Sequence, residues 1–495
     1  MPGILFPANA KGDRSTTSFN KVVYGEMAKV LGDKALAEAI DTEKDWRHRY
    51  SVHLDRLVEA EVLTASKDTN AALAVLQAGL DHVRAMDFEA VDDTCGPLGT
   101  AMANNSPIFS TARIEGTGEP KGELVLPYAG KELRGAELEA QCDRWADAGT
   151  MEPDCAAAVK AGAKQVGDLK SRTFVVLGAG SELGPVKLLL EAGATVAAVA
   201  TRKPARWSAL IEFARQSAGT LLLPVAGGAL NIGGDDSAVA QQAGADLSTE
   251  APAVAEWAER CAREAPGPVT VATYLYVDGE ANVRVTVAAD YIIEQISKLG
   301  KDKVSFAWLA SCSTTLVLPE GAVEAQQANL AKASWWQRWT GSPQQCEPLQ
   351  VEGSATPPRL FRGFEVMQGP NYALAQSMRQ WRAMLLHAGG FVVSTPVTPM
   401  CRTESVCHNS TMATLLDGVA YTAPMEAFEP EACRAAMLAV LISDLTEPVP
   451  DLPSPFYLFA RKSFHSGLWR CPYKLASLGT MTWVLGKVMP KKTVG

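Results

Sequence analysis

The stretch TFVVLGAGSELGPVKLLLEAGATVAAVATRKPARW, residues 173–207, determines what kind of fold this chain forms. An apolar run at 173–177 leads into a glycine-rich turn, a helix-like segment and a second apolar run at 194–200. Short apolar runs that are bounded by glycine and rich in β-branched residues are typical of buried strands. The stretch therefore predicts a β-α-β unit, and its abrupt change of character marks a domain boundary near residue 170.

Four more apolar runs follow along the chain, with helical patterns between most of them. They are GTLLLPV (219–225), VTVATYLYV (269–277), VSFAWLAS (304–311) and FVVSTPV (391–397). This alternation predicts an α/β fold with a doubly wound parallel sheet covered by helices. The predicted organisation is a mainly helical N-terminal region at 1–170, an α/β domain at 171–445 and a C-terminal extension at 446–495. Irregular insertions at 226–244 and 334–360 are typical of functional loops.

The bulk composition excludes several classes of function. Hydrophobic residues make up 47% of the 495 residues and charged residues 20%, as in an ordinary globular protein. The net charge of −9 argues against general nucleic-acid binding, which needs clustered cations. Ten scattered cysteines without CxxC pairs indicate reduced thiols in the cytoplasm or another reducing compartment. We expect no metal site, no signal peptide and no transmembrane segment.

The glycine-rich turn is a candidate cofactor site. Gly178, Gly180 and Gly184 form a GxGxxxG pattern between the first strand and its helix. Glycine permits a tight turn and a close approach of the backbone, and a helix N-terminus offers N–H groups to a pyrophosphate. A plain strand–helix turn would also use glycine, but the flanking strands favour dinucleotide binding.

The end of the second strand distinguishes between the two nicotinamide dinucleotides. An acidic residue there would bind the ribose hydroxyls of NAD. Here the chain has Thr201, Arg202 and Lys203. A guanidinium or ammonium group suits a 2′-phosphate, so the sequence favours NADP over NAD, although a solvated basic turn has the same composition.

From about residue 172 to 445 the chain resembles the short-chain dehydrogenase/reductase superfamily. GADLSTEAPAVAEWAERCAREAPGPVTVATYLYVDG (244–279) is similar to that family's third strand, fourth helix and fourth strand. The resemblance implies that Asp246 lies beside the adenine and that YVDG (276–279) stands where the family has Asn-Ala-Gly. KVSFAWLASCSTT (303–315) resembles the strand that ends in the catalytic serine, which is Ser311 or Ser313.

NYALAQSMRQWRAMLLHAGGFVVSTPVTPMCRTES (371–405) resembles the family's catalytic helix, sixth strand and cofactor loop. The resemblance implies that Tyr372 is the catalytic tyrosine and that Pro399 and Thr403 border the nicotinamide. The sequence departs from the family pattern in four respects. Glu182 replaces the middle glycine of the loop, Asn-Ala-Gly is absent, Gln376 replaces the lysine, and the segment between serine and tyrosine is several times the usual length.

The missing lysine leaves the chemistry open. A nearby ammonium lowers the pKa of a catalytic tyrosine, whereas Gln376 retains only a hydrogen bond to the ribose. Arg379 lies two helical turns beyond Tyr372 on roughly the same face and is a distant replacement. Three hypotheses follow: an NADP-dependent reductase, a non-catalytic nucleotide-binding or assembly subunit, and a packed aromatic residue in a reused fold.

The C-terminal tail PSPFYLFARKSFHSGLWRCPYKLASLGTMTWVLGKVMPKK (453–492) mixes aromatic, basic and short apolar segments. Such a tail packs over a substrate pocket or against a second subunit of a homo-oligomer or complex. The same composition suits peripheral contact with a membrane, in which case the substrate is lipophilic. The Trp335–Trp336 pair adds apolar surface, so we expect an apolar small-molecule substrate.

Overall fold

The computed structural model describes residues 3–104, 107–226, 235–335, 348–351, 356–364, 368–473 and 475–490. Of the two predicted insertions, the segments 227–234, 336–347 and 352–355 therefore lie outside the described residues. The described part is a mixed α/β structure around a seven-stranded, mostly parallel sheet.

The strands are β1 (Gly3–Leu5), β2 (Asp87–Glu89), β3 (Cys95–Pro97), β4 (Phe109–Glu115), β5 (Leu126–Tyr128), β6 (Lys131–Leu133), β7 (Thr173–Leu177), β8 (Thr195–Val199), β9 (Thr220–Ala226), β10 (Val269–Thr273), β11 (Val304–Trp308), β12 (Thr315–Val317), β13 (Leu360–Arg362) and β14 (Val393–Ser394). The α-helices are α1 (Thr16–Val30), α2 (Lys34–Thr42), α3 (Trp46–Ala65), α4 (Thr69–Val83), α5 (Leu98–Ala103), α6 (Gly135–Ala148), α7 (Pro153–Lys164), α8 (Val186–Glu191), α9 (Pro204–Gln216), α10 (Asp236–Gln242), α11 (Ala251–Glu264), α12 (Glu280–Ser297), α13 (Glu320–Lys332), α14 (Pro370–Ala388), α15 (Glu404–Cys407), α16 (Ser410–Val419), α17 (Pro430–Thr446) and α18 (Leu475–Val488). Short 3-10 turns lie at Val166–Ser171, Pro455–Ala460 and Leu468–Arg470.

The central sheet has the strand order β14-β11-β10-β7-β8-β9-β4. Its first six strands are parallel, and β4 pairs antiparallel with β9 at the edge. The sequence indicates six apolar runs as strands after residue 170: the two of the β-α-β unit and the four that follow it. Each of them contributes one of the six parallel strands of this sheet. The predicted mixed α/β fold with a mainly parallel sheet is confirmed.

Both faces of the sheet are covered by helices. Successive residues of β7 alternate between two cores, because side chains alternate across a strand. Val175 and Leu177 join the core that includes α11, α12 and α14, whereas Phe174 and Val176 join the core that includes α8, α9 and α17. All four side chains are fully buried, which explains why the strand is apolar throughout.

The N-terminal region contributes both a strand and a layer of helices to this structure. Residues 16–83 are mainly helical, in α1 to α4. The edge strand β4 comes from the same region. Helix α1 packs on α14, where the Tyr24 hydroxyl donates to Ser377 Oγ at 3.3 Å and the Tyr24 ring meets Trp381 edge-on. The N-terminal helices thus support the helix that carries Tyr372.

A buried ion pair fixes α14 against α12. Arg382 donates to Asp290 at 2.6 and 3.1 Å, and both side chains are buried. Arg84, from just beyond α4, donates to the same carboxylate at 2.7 Å and joins the N-terminal region to this pair. Burial raises the pKa of Asp290, but the two guanidinium groups outweigh it and hold the pKa below its ordinary value. Contacts with α12 and with the N-terminal region therefore both hold α14 in place.

None of the helices among the described residues is both long and apolar enough to cross a bilayer. No disulfide joins the cysteines in that part of the chain. Within the same residues, no group of three or more His, Cys, Asp and Glu side chains is arranged to hold a metal ion.

Candidate functional site

The candidate site lies beyond the carboxyl ends of the parallel strands. β7 runs into the glycine loop at Gly178, β10 into the Tyr274–Gly279 loop and β11 into the loop with Ser311. Because parallel strands direct their carboxyl ends toward one edge of the sheet, these loops meet there. Helix α14 begins at the same edge with Pro370 at its first turn, which brings Tyr372 to the loops.

Ser311 and Tyr372 are brought into direct contact. The Tyr372 hydroxyl donates to Ser311 Oγ at 3.0 Å, across 61 residues of sequence. Ser313 has a different partner, since its Oγ accepts from Gln368 Nε2 at 3.0 Å. Its backbone N–H donates to Ser311 Oγ at 3.1 Å and holds that hydroxyl in position. Of the two serines that the sequence left open, Ser311 is the one that contacts the tyrosine.

Burial dominates the electrostatics of Tyr372. Removal of the phenol from water raises its pKa, and this outweighs the opposing effects of the Ser311 hydrogen bond, the Arg379 charge and the Gln376 side chain. Gln376 is buried one helical turn beyond the tyrosine. The phenol is therefore protonated at neutral pH. It is ready to donate a proton and poorly disposed to accept one.

Arg379 supplies a fixed cation behind Tyr372. Its Nη2 donates to the carbonyl of Leu275 at 2.9 Å, to Thr286 Oγ1 at 3.1 Å and to Asn282 Oδ1 at 3.2 Å. Burial lowers its pKa to about 10, so the guanidinium remains charged at neutral pH. Helical spacing directs residue 379 toward the same side as 372, and the charge acts to lower the tyrosine pKa.

The loop after β10 places a second aromatic side chain beside Tyr372. The Tyr276 ring meets the Tyr372 ring edge-on, with 6.4 Å between centroids. Its hydroxyl donates to Asp278 at 3.2 Å, and the side chain is about half exposed. Burial raises the pKa of Tyr276 to about 12. Sequence reasoning assigned Tyr276 no role, because only the fold brings residues 276 and 372 together.

The glycine loop makes a tight turn. Gly178 has φ of +89°, and a Cβ at this position would lie 2.8 Å from the Tyr274 backbone, so only glycine fits. A Cβ at Gly184 would lie 3.2 Å from the Ser181 carbonyl, whereas Gly180 has ordinary space. The Ser181 and Gly184 amides donate within the loop, at 3.0 Å each. The helix α8 that follows has six residues and begins only at Val186.

Glu182 connects the glycine loop to the loop predicted to border the nicotinamide. Its Oε2 accepts from the backbone N–H of Glu404 at 2.8 Å. The preceding Thr403 is buried, with its Oγ1 3.1 Å from Ser405 Oγ, and Pro399 is also buried. Glu182 is thus a carboxylate of the glycine loop that accepts a hydrogen bond from a backbone N–H of the loop after β14.

Arg202 faces a carboxylate. Its two terminal nitrogens donate to the two oxygens of Glu250, each at 2.7 Å. This hydrogen bonding raises the pKa of Arg202. Glu250 Oε2 also accepts from the Asp246 amide at 2.9 Å, while Asp246 Oδ1 accepts from Ser248. Thr201 is exposed, and its carbonyl accepts from the indole of Trp207 at 3.2 Å.

Glu250 is a second residue of the candidate site to which the sequence assigned no role. It lies 48 positions beyond Arg202, at the start of α11, and no motif links the two. The contact between Arg202 and Glu250 becomes visible only in the folded chain, where the end of β8 lies beside the loop before α11. The structure therefore brings Arg202, Asp246 and Glu250 together at one end of the candidate site, and it brings Ser311, Tyr372, Gln376 and Arg379 together at the other end.

Comparison of the chain with protein-family models, with curated proteins and with solved structures found no match.

Proposed function

We propose that the chain is an NADP-dependent oxidoreductase of the short-chain dehydrogenase/reductase type, which reduces a carbonyl group of an apolar small molecule. The observation that carries the proposal is the 3.0 Å contact between the Tyr372 hydroxyl and Ser311 Oγ at the carboxyl edge of the sheet. The strand order supports it. Counted from β7, the parallel strands lie in the order 3-2-1-4-5-6, which is the order of dinucleotide-binding Rossmann folds.

The proposed mechanism uses this chain's hydroxyl groups. NADPH, when bound, would supply a hydride to the carbonyl carbon. The Ser311 hydroxyl orients and polarises the carbonyl oxygen, and the Tyr372 hydroxyl gives its proton to that oxygen as negative charge develops there. The tyrosinate that remains is stabilised by Ser311, Gln376 and the Arg379 charge until solvent returns the proton. One carbonyl is thereby converted to one alcohol.

The electrostatics favour the direction of reduction. A proton donor must begin in its protonated form, and burial keeps Tyr372 in that form through neutral pH. Oxidation of an alcohol would require the tyrosinate, which the buried site disfavours. The Tyr276 ring beside Tyr372 offers an aromatic wall, which suits an apolar substrate.

The cofactor end would fit NADP only after Arg202 exchanges the Glu250 carboxylate for the 2′-phosphate. The turn at Gly178 permits close approach of the backbone, and Gly180 and Gly184 would border the pyrophosphate. Arg202, with Thr201 beside it, would hold the 2′-phosphate once Glu250 releases its guanidinium. The remaining roles would be Asp246 at the adenine, Gln376 at the ribose, and Pro399 and Thr403 at the nicotinamide.

A second candidate function is a non-catalytic nucleotide-binding or assembly subunit. Two observations favour it. Glu250 already holds the guanidinium that a 2′-phosphate would need, and Glu182 places a carboxylate in the glycine loop, where its charge would repel a pyrophosphate. Gln376 carries no charge that could lower the tyrosine pKa as a lysine would.

Two measurements on the purified chain test the proposal. Calorimetric titration with NADPH and NADH should show binding selective for NADPH. A panel of apolar aldehydes and ketones should then support oxidation of NADPH, followed by its absorbance. NADPH binding without turnover would favour the non-catalytic nucleotide-binding subunit. No binding of either nucleotide at millimolar concentration would overturn the oxidoreductase and leave only an assembly role.

A further inference from the structure

The C-terminal helix α18 has two faces of opposite character. Its inner face is held against α16, where Leu478 and Thr482 are buried. The two backbones approach closely because both helices have glycine at the crossing. A Cβ at Gly418 would lie 1.7 Å from the Thr482 carbonyl, and one at Gly486 would lie 1.9 Å from the Thr414 carbonyl. The inner face therefore anchors α18 to the rest of the fold.

The outer face of α18 exposes large apolar side chains. Trp483 is 39% exposed, Val484 45% and Val488 69%, and Met489, just beyond the helix, is 41% exposed. Helical spacing places Trp483, Val484 and Val488 on the side opposite to the buried residues. Lys487 lies among them, with its ammonium 5.8 Å from the centroid of the Trp483 ring. Several large apolar side chains exposed together on one helix indicate an interaction surface.

The C-terminal segment of the sequence carries charges of one sign. No Asp or Glu follows Asp451, and Lys491 and Lys492 follow Pro490 in the sequence. The chain as a whole carries −9, so this local excess of lysine opposes the general trend. Anionic lipid headgroups attract lysine, and tryptophan and aliphatic side chains enter the boundary between headgroups and acyl chains.

We propose that α18 binds the chain peripherally to an anionic membrane surface. Trp483, Val484 and Val488 enter the headgroup boundary, while Lys487 pairs with anionic headgroups. The helix has 14 residues, fewer than the ~20 needed to span a bilayer, so it lies along the surface. This inference depends on the outer face of α18 and is independent of the oxidoreductase proposal.

Flotation of the full-length chain with vesicles tests the inference. We expect binding to phosphatidylcholine vesicles that contain phosphatidylserine, and much weaker binding to phosphatidylcholine alone. Trp483→Ala combined with Val488→Ser should lower the vesicle affinity about tenfold or more, because it removes the inserted apolar groups. Lys487→Glu should abolish the preference for phosphatidylserine, because it reverses the charge that faces the headgroups.

The matched control is Trp335→Ala combined with Val91→Ser, which alters two side chains that are 81% and 89% exposed in other parts of the chain. It should leave vesicle binding unchanged. Circular dichroism should show the same unfolding temperature for all variants. The inference is overturned if the α18 variant floats like the unaltered chain, or if neither vesicle binds. It is equally overturned if the α18 substitutions abolish self-association of the chain instead, since the face would then contact a second copy.

Discussion

The catalytic end and the cofactor end of the candidate site differ in how their polar groups are satisfied. At one end, Tyr372 and Ser311 hydrogen-bond to each other, and the nearby cation Arg379 is bound by neutral oxygens. At the other end, Arg202 is bound by both oxygens of Glu250. One end presents groups that can still serve a substrate, whereas the other presents a cation that already has an anion.

Part of the free energy of cofactor binding would be lost at Arg202, because its guanidinium already has a carboxylate partner. Two charge-assisted bonds at 2.7 Å must break before Arg202 contacts a phosphate, so part of the gain offsets that loss. The Ser311–Tyr372 pair requires only rotation of hydroxyl groups to meet a carbonyl oxygen. The chemistry of the site is therefore preorganised to a greater degree than its cofactor binding.

The largest expected effect is that of Tyr372→Phe. Removal of the hydroxyl eliminates the proton donor, so the rate of carbonyl reduction should fall about 100-fold or more. NADPH affinity should remain the same, as measured by calorimetry. Tyr276→Phe is the matched control, because it removes the hydroxyl of the neighbouring ring and should change the rate little. Equal rates for Tyr372→Phe and the unaltered chain would refute the proton-donor role.

Glu250→Gln sharpens the comparison from the cofactor end. Loss of the carboxylate charge releases Arg202, so we expect NADPH to bind about tenfold more tightly while NADH binding changes little. Glu264→Gln, on the same helix and exposed, serves as the control. An equal gain for NADH and NADPH would show that Arg202 does not contact the 2′-phosphate.

Gln376→Lys tests the electrostatics of the catalytic end. An ammonium favours the tyrosinate and should counteract the burial that raises the pKa of Tyr372. Reduction requires the protonated phenol, so its rate should begin to fall at a lower pH in the variant than in the unaltered chain. Alcohol oxidation requires the tyrosinate and should become several-fold faster near neutral pH. If the variant and the unaltered chain had identical pH profiles in both reactions, residue 376 would not be in contact with Tyr372.

Glu182→Gln should have the smallest effect. The amide oxygen can still accept the Glu404 N–H, but the negative charge beside the glycine loop is removed. We expect NADPH and NADH to bind two- to threefold more tightly, about 0.5 kcal/mol, because both carry the pyrophosphate. Titration of both nucleotides measures this, and weaker binding would show that the carboxylate supports the site.

The sequence by itself predicted the elements of this fold. Buried parallel strands are apolar throughout because both of their faces are covered, so the runs at 173–177, 195–199 and 269–273 are visible without coordinates. The turn at Gly178 could also be predicted from the sequence, because its positive φ favours glycine over other residues. The helical spacing of 372, 376 and 379 likewise predicted which residues share a side of α14.

Only the tertiary structure decided which groups meet. The choice of Ser311 over Ser313 depends on how the loop after β11 turns toward α14. The pairing of Arg202 with Glu250 and of Glu182 with the Glu404 amide joins residues that no local pattern relates. Local periodicity encodes which face of an element is buried, whereas contacts between loops depend on how the elements pack. The partners of the candidate cofactor residues therefore became visible only in the folded chain.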